Sequence, residues 1–373
     1  MAKFGSWLDL SKNDLNTDKM ASTIDIKIRK IAQSKIDKVD FDNIQFGKVY
    51  ADHMFMADYQ NGKWGNFQIT PYENLSLSPA NSALHYGQSV FEGMKAYRNI
   101  HGEPVLFRAD ANFKRINLSA DRLCIPQIPE EVFMGGLKAL VKLDEKWIPN
   151  KPNTALYIRP YVFATDEYIG IRPSDTYKFI IFCCPVGAYY AEPVKVKIET
   201  HYSRAFPGGI GYAKAAGNYA ASLYPAKKAS EGGYQQLIWT DGLTHQYIEE
   251  SGTMNVMFII NDTLITAPAG ETILNGITRD SVLTLARDWG FKVEERKVAV
   301  TEVVEAIQQG TLKEAFGTGT AATIAHIAVI GHEGKDYTLP PVEGRAFSNK
   351  VLKTLEDIKT EAAPNNFGWV TKV

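Results

Sequence analysis

Residues 208–219 read Gly208-Gly209-Ile210-Gly211-Tyr212-Ala213-Lys214-Ala215-Ala216-Gly217-Asn218-Tyr219. Lys214 sits in this run among glycines, alanines and two tyrosines, with no other charge beside it. Small neighbours let a flat ligand lie close to the backbone. An apolar setting favours the neutral amine, the form that attacks a carbonyl carbon. Both are requirements for a Schiff base to an aldehyde. The bland alternative is a glycine-rich surface turn holding a chance lysine, and the run alone does not choose between them.

Working outward, the chain of 373 residues is long for one core and suggests two domains. Apolar residues make up 45% and charged residues 22%, ordinary for a soluble globular protein. The formal net charge of -1 argues against a general nucleic-acid or anionic-membrane surface. The first residues carry Lys3, Asp9, Lys12 and Asp14, with no apolar leader core. Apolar runs such as Phe179–Val186 are of strand length, far short of the roughly 18–20 residues of a membrane span. A cytoplasmic location is expected. Three cysteines make no disulfide framework, and the adjacent Cys183 and Cys184 read as small buried residues on opposite faces of a strand. No CxxC or HExxH spacing points to a metal.

The pattern divides into a smaller N-terminal domain over residues 1–184, with a polar arm over residues 1–25, an interdomain loop over 185–190, and a larger domain over 191–373. Short aromatic-rich strands are expected over residues 46–56 and 63–70, joined by the turn at residues 59–62. Helices are expected around Phe113, Ile116, Ala120 and Leu123, and around Phe133, Leu137, Leu140 and Val141. Residues 154–164 read as a strand with Tyr157 and Arg159 on one face. In the second half, residues 256–265 read as a hairpin turning at Asn261-Asp262. Val282, Leu285, Ala286 and Trp289 form a helical stripe ended by Gly290. Strands and helices mix without a steady β-α-β rhythm, so the class is mixed α/β rather than doubly wound.

The run around Lys214 has two glycines of a dinucleotide fingerprint but lacks the third and the preceding strand. Phosphate-loop and nucleophile-elbow motifs are absent from the sequence. The remaining parts suit pyridoxal phosphate, which needs a lysine, an acid for its ring nitrogen, and N–H groups with a cation for its phosphate. Glu250, beside Glu249, precedes an apolar strand. Asn275-Gly276-Ile277-Thr278 and Gly317-Thr318-Gly319-Thr320 each offer N–H groups and hydroxyls.

Longer motifs join these parts. They include His85-Tyr86-Gly87-Gln88-Ser89-Val90-Phe91-Glu92-Gly93-Met94-Lys95-Ala96-Tyr97, Asn112-Phe113-Lys114-Arg115 and Tyr157-Ile158-Arg159-Pro160, with Glu250-Ser251-Gly252-Thr253-Met254-Asn255 further on. With these the chain resembles the branched-chain amino acid aminotransferases over nearly all residues beyond the first 25. The resemblance implies the two-domain type IV fold of pyridoxal phosphate enzymes, like that of D-amino acid aminotransferase, and a homodimer. It makes Lys214 the Schiff-base lysine and catalytic proton carrier, Glu250 the partner of the ring nitrogen, and Tyr219 the partner of the phenolic oxygen. Arg115, Ile277, Thr278 and Thr320 match positions around the phosphate, and Thr253 lies in the cofactor-binding run. On spacing alone Arg115, beside Lys114, reads as a solvated helix face.

On the substrate side the resemblance assigns Phe46, Tyr86, Phe91, Tyr157, Ile171 and Ala321 to the side-chain pocket, with Tyr86 supplied by a partner subunit. Arg159 is the expected partner of the 2-oxoglutarate carboxylate. Plain core packing is the alternative for Phe46, Phe91 and Ile171. The implied reaction is reversible amino transfer from leucine, isoleucine or valine to 2-oxoglutarate. A D-amino acid aminotransferase, an aminodeoxychorismate lyase or a non-catalytic sensor would share the fold. Some mammalian relatives carry a cysteine pair where this sequence has Ala322 and Ala325, so thiol switching is not expected there.

Overall fold

The computed structural model describes residues 24–187, 189–190 and 192–373, so residues 1–23 of the expected arm lie outside it. The first half runs β1 (Lys27–Ile28), β2 (His53–Gln60), β3 (Lys63–Pro71), α1 (Ser82–Tyr86), β4 (Ser89–Phe91), β5 (Met94–Arg98), β6 (Pro104–Phe107), α2 (Ala109–Arg122), α3 (Glu130–Leu143), β7 (Ala155–Ala164) and β8 (Tyr177–Val186). The second begins β9 (Val194–Ile198), α4 (Ala216–Glu231), β10 (Gln236–Thr240), β11 (Tyr247–Ser251), β12 (Met254–Ile260), β13 (Thr263–Thr266), α5 (Ile277–Asp288) and β14 (Lys292–Glu295). It continues β15 (Val298–Ala299), α6 (Val300–Gln308), β16 (Leu312–Gly319), β17 (Thr323–His332), β18 (Lys335–Thr338), α7 (Ala346–Lys359) and β19 (Val370–Lys372).

Among the described residues these strands form a 9-stranded and a 10-stranded sheet. The first has the order β1-β3-β2-β8-β7-β5-β6-β19, with β4 pairing β7. In the second, β12 pairs both β16 and β11, so β12, β16, β17, β9, β10 and β11 close on themselves like a barrel. Alternation along β12 explains why this strand is buried on both sides. Val256, Phe258 and Ile260 join one core with Val194, Val196 and Ile327. Met257 and Ile259 face the other way, onto Val282, Leu285 and Phe347 from α5 and α7.

In the first half, α3 lays Phe133, Leu137, Leu140 and Val141 against Phe55, Ile69 and Phe179 of the sheet. The rings of Phe133 and Phe179 stack at 5.9 Å. Each such side chain, fully buried, contributes about 1.5–3 kcal/mol. The hairpin at Asn261-Asp262 and the stripe of α5 form where the pattern places them.

Three boundaries differ from the sequence reading. Strand β2 begins at His53, not at residue 46, because the chain turns at Gly47 and the Tyr50 hydroxyl donates to the Gly47 carbonyl at 2.9 Å. Pro185 and Val186, read as connecting loop, belong to β8. Finally β19 returns to the first sheet and pairs β6, with Val370 opposite Phe107. No helix among the described residues is long and apolar enough to cross a membrane.

Candidate active site

Lys214 lies between β9 and α4, and its backbone is tied to the first half of the molecule. Its N–H donates to the Ser119 hydroxyl of α2 at 2.9 Å, and its carbonyl accepts from the Phe91 N–H at 3.0 Å. Asn218 braces the same turn by donating to the carbonyls of Ile210 and Ala213. Gly211 is required by close approach: a Cβ there would lie 2.5 Å from the Ala205 Cβ and 2.8 Å from the Thr272 Cα. The run therefore holds its lysine by packing, which a free surface turn would not do.

The Lys214 amine donates to the Tyr219 hydroxyl at 2.9 Å and lies 5.0 Å from the Phe91 ring centre. One cavity is lined by Arg115, Lys214, Glu250, Thr253, Ile277, Thr278 and Thr320, all expected around the cofactor. Tyr219 joins Lys214, Glu250 and Thr253 around a neighbouring cavity. The solvated-face alternative for Arg115 fails, because its side chain is buried and paired with Glu92.

Burial pushes the Glu250 carboxyl above its usual range, against the pull of Arg204, the Leu274 N–H, Lys214 and Arg115. Leu274 donates to Glu250 Oε1 at 2.8 Å. Arg204 Nε lies 3.1 Å from Oε2 as an ion pair, without hydrogen-bond alignment. The Arg204 guanidinium also donates to the carbonyls of Gly211 and Thr272, so it links the acid to the lysine's loop. Burial likewise raises Glu249, whose Oε1 accepts from the Thr272 hydroxyl at 2.5 Å.

Aromatic rings lead away from the lysine. The rings of Phe91 and Tyr219 are 4.9 Å apart, and the Arg159 guanidinium lies 4.7 Å from the Phe91 centre. Arg159 donates to the Tyr157 hydroxyl at 3.0 Å, since both side chains leave the same face of β7. Tyr157 meets Phe46 at 5.1 Å, and Phe46 meets Tyr189 at 5.0 Å. Ala321 sits in the turn between β16 and β17, next to Thr320, whose hydroxyl donates to the Gly93 carbonyl at 3.0 Å. None of the residues expected on the substrate side lines either cavity around Lys214; Ala321 and Tyr189 line a separate, larger cavity, and Tyr86 and Ile171 lie outside all of these. They are 40% and 92% exposed.

Sequence reasoning left Glu92, Arg204 and Ser119 without roles. Glu92 stands inside the quoted motif that begins at His85, which was its one visible signal. Arg204 precedes Lys214 by ten positions in a loop, where no periodicity marks it.

The amino-transferase class IV family matches residues 89–330. Branched-chain-amino-acid aminotransferase 2 of Bacillus subtilis (strain 168) is 45% identical over 348 residues, covering 92% of this chain and 96% of that protein. Among solved structures, the branched-chain aminotransferase from the archaeon Thermoproteus uzoniensis with norvaline superimposes with a TM-score of 0.70 at 25% identity, covering 85% of this chain and 99% of that one. The T.th. branched-chain amino acid aminotransferase with pyridoxamine 5'-phosphate gives 0.69 at 26% identity, covering 85% and 98%. With its lysine, buried acid and arginine gathered in the positions described, the chain belongs to the class IV aminotransferases, pyridoxal phosphate-dependent enzymes, and within them to the branched-chain group.

Proposed function

We propose that this chain catalyses reversible transfer of the amino group of leucine, isoleucine or valine to 2-oxoglutarate, in two alternating half reactions. The observation that carries the reading is the unbroken series Arg115, Lys214, Tyr219, Phe91, Arg159, Tyr157. It sets an amine between an anion-binding guanidinium and a second guanidinium bordered by aromatic rings.

The residues present fit pyridoxal phosphate. The buried Thr318 hydroxyl has no hydrogen-bond partner and lines the same cavity as Arg115. Helix α5 begins there without a side-chain cap, leaving its first N–H groups for an anion. Arg115, Ile277, Thr278 and Thr320 would hold the phosphate, Glu250 the ring nitrogen and Tyr219 the phenolic oxygen, with Thr253 beside the ring. When bound, the cofactor supplies an aldehyde and a ring that accepts the electrons of the substrate's broken Cα–H bond.

Lys214 Nζ, which lines the cavity, is the group that would accept and return the substrate's Cα proton. The Tyr219 hydroxyl orients that nitrogen. Glu250, with its proton affinity raised by burial, suits sharing a proton with a ring nitrogen. Phe46, Phe91, Tyr157 and Ala321 would border an alkyl side chain, where each buried methylene is worth about 0.8 kcal/mol. An unpaired carboxylate there would be costly, so Arg159 and the Tyr157 hydroxyl take the side-chain carboxylate of 2-oxoglutarate.

A homodimer belongs to the same proposal. Tyr86 and Ile171 project from the chain at 40% and 92% exposure, which supports their completing the pocket of a second copy. Light scattering should give twice the chain mass.

The test is a spectral titration with leucine, valine, glutamate and their D-forms, paired with Lys214→Ala. L-substrates should discharge the absorbance of the bound cofactor. The variant should fold normally and carry no borohydride-fixed cofactor. Linkage at another lysine, or preference for D-forms, would overturn the assignment.

A further inference from the structure

A cavity much roomier than those around Lys214 lies elsewhere in the molecule. It has a volume of about 700 Å³, within the range of small-molecule sites. Its walls come from β5, residues 149–155, the connection before β9, the start of β17 and helix α7. Two buried lysines line it: Lys95 of β5, 9% exposed, and Lys359 of α7, 5% exposed. The small side chains of Ala322 and Ala325 line the wall toward the β16–β17 turn.

Among the described residues these lysines are short of partners. An ammonium group has three donors. Lys95 Nζ donates once, to the Ala321 carbonyl at 2.7 Å, and Lys359 Nζ once, to the Thr323 hydroxyl at 2.8 Å. Lys359 also lies 5.6 Å and 5.4 Å from the ring centres of Tyr97 and Phe107. Among the described residues neither lysine has a carboxylate within 4.0 Å, although the half-buried Glu356 attracts both from farther away. Buried cations are ordinarily paired, because an isolated one loses its hydration without compensation. Here two share one cavity wall.

We infer that Lys95 and Lys359 form a binding site for a compact dianion, a small dicarboxylate or a phosphate-type oxyanion, entering through this cavity. Such a ligand would use the remaining donors of both ammonium groups and repay their burial. Burial draws Lys95 down to about 8, and burial with the nearby Lys95 charge draws Lys359 down to about 7, the strain an added anion would relieve. The site also touches the reaction centre proposed above. Both lysines hold the turn carrying Thr320 and Ala321, so an anion competing for their donors would loosen it; that last link rests on the proposed function, whereas the binding does not.

A narrower cavity joins Lys95, Lys359 and Thr323 to Ile277, Thr278 and Thr320, and a rival reading assigns the lysines to the cofactor phosphate instead. The experiment separates these readings. Sulfate and, in a second arm, succinate are titrated calorimetrically at fixed ionic strength into cofactor-loaded enzyme carrying Arg159→Met. That change removes the carboxylate partner on the substrate side. One site per chain is expected, weakened roughly tenfold or more by Lys359→Met or Lys95→Met. Preference between sulfate and succinate tells phosphate-like from dicarboxylate ligands. The methionine variants should be at least as heat-stable as their parent without anion, which shows that they fold. Absence of binding in both arms, binding indifferent to both lysine changes, or binding confined to cofactor-free protein would overturn the inference. The last outcome would assign the lysines to the phosphate cradle. Whether the enzyme transaminates is read separately.

Discussion

Glu92 grips Arg115 from two sides: Nε donates to Oε1 at 2.7 Å and Nη2 donates to Oε2 at 2.8 Å. Both residues are buried, and Asn112 and the Gly93 N–H donate to the same carboxylate. Nη1 is held by the Asn275 carbonyl at 3.1 Å. The guanidinium that would meet a phosphate is thus fixed in place before any ligand arrives; burial works to lower its proton affinity, and the charge and hydrogen bonds of Glu92 outweigh that and leave it raised.

Removing Glu92 would strand that cation. Glu92→Ala should cost about 3–5 kcal/mol of stability, as breaking a buried pair does. Urea unfolding measures it, with cofactor content after dialysis as a second readout. A loss below about 1 kcal/mol would show that Arg115 finds another partner.

Tyr219→Phe keeps the ring beside Phe91 and deletes only the hydroxyl that accepts from Lys214. A hydrogen bond to a charged group is worth about 1.5–3 kcal/mol. Turnover should fall roughly ten- to a hundredfold, with thermal stability nearly unchanged. Unaltered turnover would remove Tyr219 from the orienting role.

Arg159→Met should raise KM for 2-oxoglutarate much more than KM for leucine, since only the former brings a second carboxylate. Gly93→Ala should act in the same direction, because a Cβ there collides with the Tyr157 hydroxyl to which Arg159 donates. Equal effects on both substrates would contradict the pairing.

Stability should depend on pH through Lys359. Its proton affinity in the folded chain is drawn down from 10.5 to about 7, so between those values the unfolded chain holds a proton that the folded one lacks. Stability contributed at this site therefore rises with pH across that window and is lowest below about 7. Lys359→Met should stabilise the protein by roughly a few kcal/mol near neutrality, and the advantage should shrink towards the upper end of the window. Parallel urea curves at both ends of the window check this. A constant difference would mean that Lys359 stays charged throughout.

Much of this architecture is legible from periodicity. The stripes of α3 and α5 and the β12–β13 hairpin are each driven by local burial, so the apolar spacing reports them directly. Helix α4 escaped because its alanine- and lysine-rich surface has no apolar stripe and because Pro225, which lies inside the continuous helix, reads in sequence as a helix breaker. Lys214 and Tyr219 are close in the chain, and their contact can be guessed from the motif. The pairs Glu92 with Arg115 and Glu250 with Arg204 depend on strands and loops folding together, which no spacing encodes. Lys95 and Lys359 lie still farther apart in sequence, and each alone looks like an ordinary surface charge.

Strand β19 has a consequence for how the protein is made. Its partner β6 is synthesised long before residues 370–372 emerge, so a nascent chain carries β6 with one rim of N–H and C=O groups unclaimed. The first sheet therefore gains its last edge pairing only after the later half has been delivered. A chain lacking residues 370–372 would leave β6 as an open margin of the sheet, the kind of edge that invites pairing with another chain.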